Sequence, residues 1–317
     1  NGKDTMTGHW EMMGINTTKP FQTFTDTGFP QSLVDELSKK TGYKFIGNYA
    51  SSGTKILEVL GEEHMRDKSL ILYTSSDSVL QIAAHEEIVP VKELYRICEI
   101  AREVCMKPEY FVGRIIARPF IGKDKTSFKR VTGDRHDIAV SPSNLTALDV
   151  LKENNVLTLG VGKIGDIFNQ QGITKSIKSK NNEDGMNITI NELKNNPNNG
   201  LYFINLVEFD SEYGHRRNPS GYKKCIEDFD KQLDVFVKNM RPDDLLIITA
   251  DHGNDPTMPG SDHTREMVPF IAYSSIISGG KLLETRSTFA DIGDSILKNF
   301  NLKKKDHMLG NYIKELF

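Results

Sequence analysis

Apolar positions along this chain follow two rhythms that alternate. Four continuous apolar runs are short and bounded by turn residues: NVLTLGVG at 155–162, GLYFINLVEF at 200–209, DDLLIITA at 243–250 and MVPFIAYSS at 267–275. Runs of this kind predict central strands covered on both faces. Between the second and third lies YKKCIEDFDKQLDVFVKNM, where Tyr222, Cys225, Ile226, Phe229, Leu233, Phe236, Val237 and Met240 recur at the helical period. SNLTALDVLKEN predicts another helix, capped by Ser143 or Asn144. Strands alternating with helices predict an α/β architecture. From about residue 20 to 142 the signals turn mixed, with a turn-rich FIGKDKTSFKRVTGDRHD stretch. We expect residues 1–19 and 143–317 to form the core and residues 20–142 to form a separate α+β domain inserted into it. KSKNNEDG at 178–185 reads as a solvated turn or loop.

Composition narrows the function. The 317 residues are 38% hydrophobic, enough for a sizeable core, and the formal net charge is −3. No basic stripe advertises nucleic acid. Three cysteines without CxxC spacing point to reduced thiols and a cytoplasmic location. No apolar run reaches the roughly 18 residues of a membrane span, and no signal-peptide pattern is present. A monomer acting on a small molecule is expected.

The chemistry gathers at strand ends. LVEFDSEYGH places Asp210 and His215 just past one strand, ITADHGND places Asp251 and His252 past another, and GSDH adds His263. Ligands in open α/β sheets collect outside the carboxyl ends of strands, so separate strands can deliver these side chains to one crevice. Carboxylates mixed with imidazoles suit Mn²⁺ or Zn²⁺ better than Ca²⁺. Two such cations some 3.5–4 Å apart would clamp a phosphoryl group. A lone Asp–His pair at a strand end is more often a loop cap. Here three clusters hold three of only eight histidines. His64, His85 and His307 have no such company and read as surface or packing residues. Asp255 and Asp262 read as turn caps, and Glu208 and Glu212 as structural or solvent-facing.

The opening NGKDTMTGHWEMMG offers a nucleophile, Thr5 or Thr7, whose hydroxyl needs a metal or base to draw off its proton. Met6, Trp10, Met12 and Met13 behind it read as packing. GVGKIG at 160–165 fits the dinucleotide fingerprint, yet DIFNQQGI breaks the helix that should follow. Lys163 is better placed there as a phosphate contact. SSGTK at 51–55 lacks P-loop spacing.

GKDTMTGHWE, FDSEYGHRR and TADHGNDPTMPGSDHTRE, in that order, closely resemble the phosphopentomutases of the alkaline phosphatase superfamily. The resemblance continues through SSDSVLQIAAHEE, GRIIARPF and GDRHD in the expected insertion. It implies a three-layer core with a central, mostly parallel sheet, and a cap domain that closes over the site. It implies that Thr5 is the phosphorylated nucleophile. Asp210, His215 and His263 would hold one metal, with Asp251 and His252 forming part of the other's shell. The implied cofactors are two Mn²⁺ ions, with other divalent cations possible, and a glucose 1,6-bisphosphate-type activator. The implied reaction interconverts ribose or 2-deoxyribose 1-phosphate and 5-phosphate through a sugar 1,5-bisphosphate. In the cap, Arg118 and Arg135 are expected to fork onto the distal phosphate, with Ser75 and Asp77 accepting from sugar hydroxyls. The family's second metal also takes an aspartate from a short MDSVGIG-type motif on the first core strand. That motif does not occur here, so a shortened chain is expected. A metal-dependent phosphohydrolase on the same core and an inactive fragment are the competing expectations.

Overall fold

The computed structural model describes residues 2–18, 21–75, 77–195, 199–277 and 279–317. Two compact units divide the chain, one made of Asn1–Pro20 and Ser141–Phe317, the other of Phe21–Val140. The junction expected at residues 19 and 20 falls outside the described residues. Helix α1 (Thr5–Met12) belongs to the first unit.

The second unit is a mixed sheet covered by helices on both faces. In chain order it runs α2 (Gln31–Thr41), β1 (Phe45–Ala50), α3 (Gly53–Asp67), β2 (Leu70–Thr74), β3 (Val79–His85), α4 (Val91–Val104), β4 (Arg114–Ile121), β5 (Lys129–Arg130) and β6 (His136–Ala139). The order is β1-β2-β3-β4, with β5 and β6 both pairing with β4. β1 with β2 and β3 with β4 are parallel; the other pairs are antiparallel. Leu33 and Leu37 of α2 and Leu94, Ile97 and Cys98 of α4 pack on one face against Leu72, Ile82, Ile115 and Ala117. Ile56 and Leu57 of α3 cover Ile71, Tyr73, Ala83 and Phe120 on the other. Strand alternation therefore puts Arg114 and Arg118 on the α3 side with Phe120.

His64 and His85 are fully buried there. His64 Nδ1 lies 2.6 Å from the Ser69 carbonyl, and its Nε2 accepts the His85 backbone N–H at 2.8 Å. His85 Nε2 meets the Gly122 carbonyl at 2.8 Å, and its Nδ1 accepts from Glu87 N. Both rings are internal braces with every nitrogen satisfied. Burial pushes the His64 pKa down, with the nearby His85 adding to the drop and the Ser69 carbonyl opposing it.

The first unit continues with α5 (Ala147–Glu153), β7 (Leu157–Val161), α6 (Ile164–Ile167), β8 (Lys175–Ile177), α7 (Asn182–Asn195) and β9 (Gly200–Ile204). It then runs through α8 (Pro219–Val237), β10 (Leu246–Thr249), β11 (Phe270–Tyr273) and α9 (Ala290–Asn299). β8-β7-β9 form a parallel three-stranded sheet; β10 and β11 pair antiparallel. The architecture is α/β.

Several expectations need correction. The α5 cap is Thr146, whose backbone N–H and hydroxyl both bond Asp149 in a capping box. Ser143 and Asn144 lie a turn too early. The stretch 178–185 is not a solvated loop throughout. Asn181 accepts the Asp184 backbone N–H at 2.8 Å, α7 starts at Asn182, and Asn182 is buried in a reciprocal pair with Glu208. Nor are β9 and β10 covered as central strands are. Their residues are half-buried throughout, whereas β7 is almost wholly buried. β7 has a partner on each side, whereas β9 pairs with β7 alone and β10 with β11 alone among the described residues. The break expected at DIFNQQGI, by contrast, is there: α6 is only four residues long, far short of what a dinucleotide-binding unit requires.

Candidate metal centre

Helix α1 delivers the threonines. Asp4 caps it, its carboxylate accepting the Thr7 backbone N–H at 2.9 Å and the Thr7 hydroxyl at 2.6 Å. Thr7 is thereby buried and occupied. Thr5, at the first helical position, instead points its Oγ1 at His252 Nε2, 3.3 Å away. A helix N-terminus favours negative charge, which suits a phosphoryl group on Thr5. Gly8 lets the helix come this close, because a Cβ there would lie 2.0 Å from the Asp251 carbonyl oxygen. His9 completes the contact: its Nδ1 is 2.8 Å from the Thr5 carbonyl and 3.2 Å from Asp251 Oδ2.

The other side chains come from loops past β9 and β10. A π-helical turn, Phe209–Gly214, follows β9 and carries Asp210, with His215 next in line. Such turns recur at functional sites because they re-aim side chains. Asp210 Oδ2 lies 3.3 Å from His215 Nε2, and Oδ1 lies 3.3 Å from His263 Nε2. The two Nε2 atoms are 3.2 Å apart. His252 stacks on His263 with ring centroids 3.7 Å apart, and its Nε2 is 3.4 Å from Asp251 Oδ2. One ligand atom from each of Asp210, His252 and His263 fits within a 4.8 Å span.

The tautomers explain why these rings crowd together. Nδ1 of His215 meets the Ser261 carbonyl at 2.6 Å, Nδ1 of His263 meets the Lys3 carbonyl at 2.7 Å, and Nδ1 of His252 meets the Gly253 carbonyl at 3.1 Å. A carbonyl can only accept, so each Nδ1 carries a hydrogen, and Nε2 is the nitrogen whose lone pair a cation would take once that nitrogen is deprotonated. Three imidazole Nε2 atoms and two carboxylates converge, residue types that fit divalent cations once the nitrogens are deprotonated. The electrostatics are those of the same cluster with protons on the rings. Burial opposes the Asp210 charge, but the His215 and His263 hydrogen bonds outweigh it and hold the carboxyl well below the usual range. Burial also opposes the Asp251 charge, yet His9 and then His252 bring its pKa to about 2. Burial lowers the His263 pKa, and Asp210 more than reverses that.

A model of the Metalloenzyme superfamily matches residues 7–304. A phosphopentomutase of Clostridium botulinum is 56% identical over 314 residues, covering 99% of this chain and 79% of its own. One from Agathobacter rectalis is 54% identical over 315 residues, with 99% and 79% covered. One from Clostridium perfringens (strain 13 / Type A) is 54% identical over 312 residues, with 98% and 78% covered. The chain belongs to the phosphopentomutase family. It is an enzyme of the isomerase class, a phosphomutase. Among solved structures, the PH0037 protein from Pyrococcus horikoshii aligns with a TM-score of 0.48 at 13% identity over 95% of this chain and 84% of that one, too loose to carry weight.

Within this phosphopentomutase-family chain, the structure brings Thr5, Asp210, His215, Asp251, His252 and His263 into one cluster of the first unit. Lys163 lies in the same unit, exposed just past the end of β7. Ser75, Asp77, Arg118 and Arg135 belong to the second unit. Arg118 Nε donates to Gln81 at 3.0 Å, and Arg135 forks onto Asp137 at 2.6 and 2.5 Å. Asp77 accepts from Arg114 Nη2 at 3.3 Å, so Arg114 joins that group although sequence reasoning passed over it. His9, Asn254 and Arg217 were also missed. A histidine four residues after Thr5 was the one available signal. The other two are identified only by their partners. No helix among the described residues is long and apolar enough to cross a membrane.

Proposed function

We propose that this chain interconverts the 1- and 5-phosphates of ribose or 2-deoxyribose, with Thr5 as the phosphorylated residue. The observation that carries the reading is the convergence of the His215, His252 and His263 Nε2 atoms on Asp210, Asp251 and the Thr5 hydroxyl. Asp210, His215 and His263 would hold one divalent ion; Asp251 and His252 would belong to the shell of a second, Mn²⁺ being the ion of choice. When bound, the ions supply Lewis-acid stabilisation of phosphoryl oxygens and lower the pKa of a bound hydroxyl.

The chain's own groups do the rest. The Asp4 cap keeps Thr7 engaged, leaving Thr5 Oγ1 as the hydroxyl free to exchange a phosphoryl group. In the forward step the P–Oγ1 bond of phospho-Thr5 breaks as a P–O bond to the sugar hydroxyl forms, giving the 1,5-bisphosphate. The proton leaving the sugar hydroxyl balances the one that returns to Thr5 Oγ1. In the second step Thr5 loses that proton and takes the other phosphoryl group, which restores the starting enzyme. The α1 N-terminus favours the dianion at each phosphorylated stage. Ser75, Asp77, Arg118 and Arg135, with Lys163, are assigned to binding the phosphosugar. A glucose 1,6-bisphosphate-type activator would first load Thr5. We assign the enzyme to the cytoplasm as a monomer.

Incubation with ribose 5-phosphate, Mn²⁺ and a catalytic amount of glucose 1,6-bisphosphate tests the reading. Ribose 1-phosphate should accumulate to equilibrium. Steady release of free phosphate instead would make the chain a phosphohydrolase, and no turnover at all would leave it an inactive fragment.

A further inference from the structure

Arg217 lies two residues past His215 with φ +49°, the left-handed region that strains a non-glycine backbone. That conformation turns its guanidinium back towards the loop carrying His263. Nε donates to the Gly260 carbonyl at 2.5 Å and Nη2 to the Asp262 carbonyl at 2.5 Å. Nη1 reaches the Gly214 carbonyl at 3.0 Å, the Asn254 side-chain oxygen at 2.7 Å and the Asp255 carbonyl at 2.9 Å. These five acceptors are neutral oxygens. Arg217 works here as a fork of directed donors, a geometry that lysine does not reproduce.

Three of these contacts, to Gly260, Asp262 and Asp255, tie the loop after β9 to the loop after β10, and the Gly214 contact stays within the first loop. The Asn254 contact does something different. With its oxygen held by Arg217, its amide nitrogen must face the opposite way, where it donates to Asp210 Oδ1 at 2.6 Å. That same oxygen lies 3.3 Å from His263 Nε2. Gly214 leaves room for the amide, since a Cβ there would come within 2.5 Å of Asn254 Nδ2.

We propose that Arg217 is a positioning residue for the cation held by Asp210, His215 and His263, acting through Asn254 to fix the Asp210 carboxylate. The inference rests on the metal reading given above and adds the partners that aim its ligands. Outer partners of metal ligands typically alter affinity 10- to 100-fold.

Equilibrium Mn²⁺ binding to the whole chain tests it, with His263→Ala marking which ion belongs to this site. Arg217→Lys and Asn254→Ala should each weaken that ion about 10- to 100-fold. Melting of the metal-free Asn254→Ala protein should barely move. The double variant should bind no worse than the weaker single one, because both changes interrupt one relay. Asn254→Ala is the discriminating variant, since it leaves the other four Arg217 contacts in place. Unchanged Mn²⁺ affinity in Asn254→Ala, or losses that add in the double variant, would overturn the relay. If His263→Ala costs the wild type no ion, the metal reading and this inference fall together. A wild type that binds Mn²⁺ but leaves ribose 5-phosphate untouched contradicts only the proposed reaction.

Discussion

His215 and His263 point Nε2 at Nε2 across 3.2 Å, and Asp210 turns one carboxylate oxygen towards each. Two nitrogen lone pairs at that separation repel unless something positive sits among them. Cation binding should therefore stabilise the fold. At about 100 times its Kd, Mn²⁺ should add about 2.7 kcal/mol. A thermal melt should rise by several degrees, and His263→Ala should abolish most of the rise. A wild-type melt indifferent to Mn²⁺ and chelator contradicts this.

Thr5 and Thr7 sit two residues apart in different circumstances, so their alanine variants should separate. Thr5→Ala should lose a phosphoryl adduct of about 80 Da in the intact mass. Thr7→Ala should keep the adduct and lose about 1 kcal/mol of stability, because it removes one of the two bonds that the Asp4 cap makes. An adduct that survives in Thr5→Ala moves the acceptor elsewhere.

Gly8 is held to glycine by contact. An added Cβ would lie 2.0 Å from a backbone oxygen, which cannot rotate away. Gly8→Ala should destabilise by about 1–3 kcal/mol. It should also lower kcat by about 100-fold through displacement of Thr5 from His252. Near-normal kcat would show that α1 tolerates a shift.

His64 gives the second unit a pH limit. Its folded pKa lies below the ordinary 6.5, so the folded state favours the neutral ring. Above 6.5 both states are neutral and the contribution is whole. As pH falls below 6.5 the unfolded chain takes up the proton first, and the contribution drains away towards the folded value. Denaturant melts stepped down from about pH 7.5 to 5 should show this loss. In His64→Gln that part of the slope should be missing. Parallel profiles would remove His64 as the cause.

The strand-end clusters were legible because a catalytic loop interrupts an apolar run abruptly, as after Ile248 and Val207. The helix at 219–237 was equally plain from its periodicity. Contacts that depend on distant partners were not. Nothing near Asn254 announces that Arg217 will claim its oxygen, 37 residues away. Asn182 reads as a loop residue until Glu208, 26 residues on, satisfies its backbone. Ser143 and Asn144 looked like caps on composition, and the Thr146–Asp149 spacing, visible in the same stretch, decided the start of α5 instead. The half-burial of β9 and β10 follows from pairing, which an apolar run does not specify.

The hydroxyl of Thr5 meets an imidazole that lies 247 positions further along the chain. During synthesis on the ribosome, Thr5 therefore emerges long before the imidazole it meets. A nascent chain can fold its second unit first, and the proposed phosphoryl transfer would begin only once translation has passed the loop that brings His252 and His263.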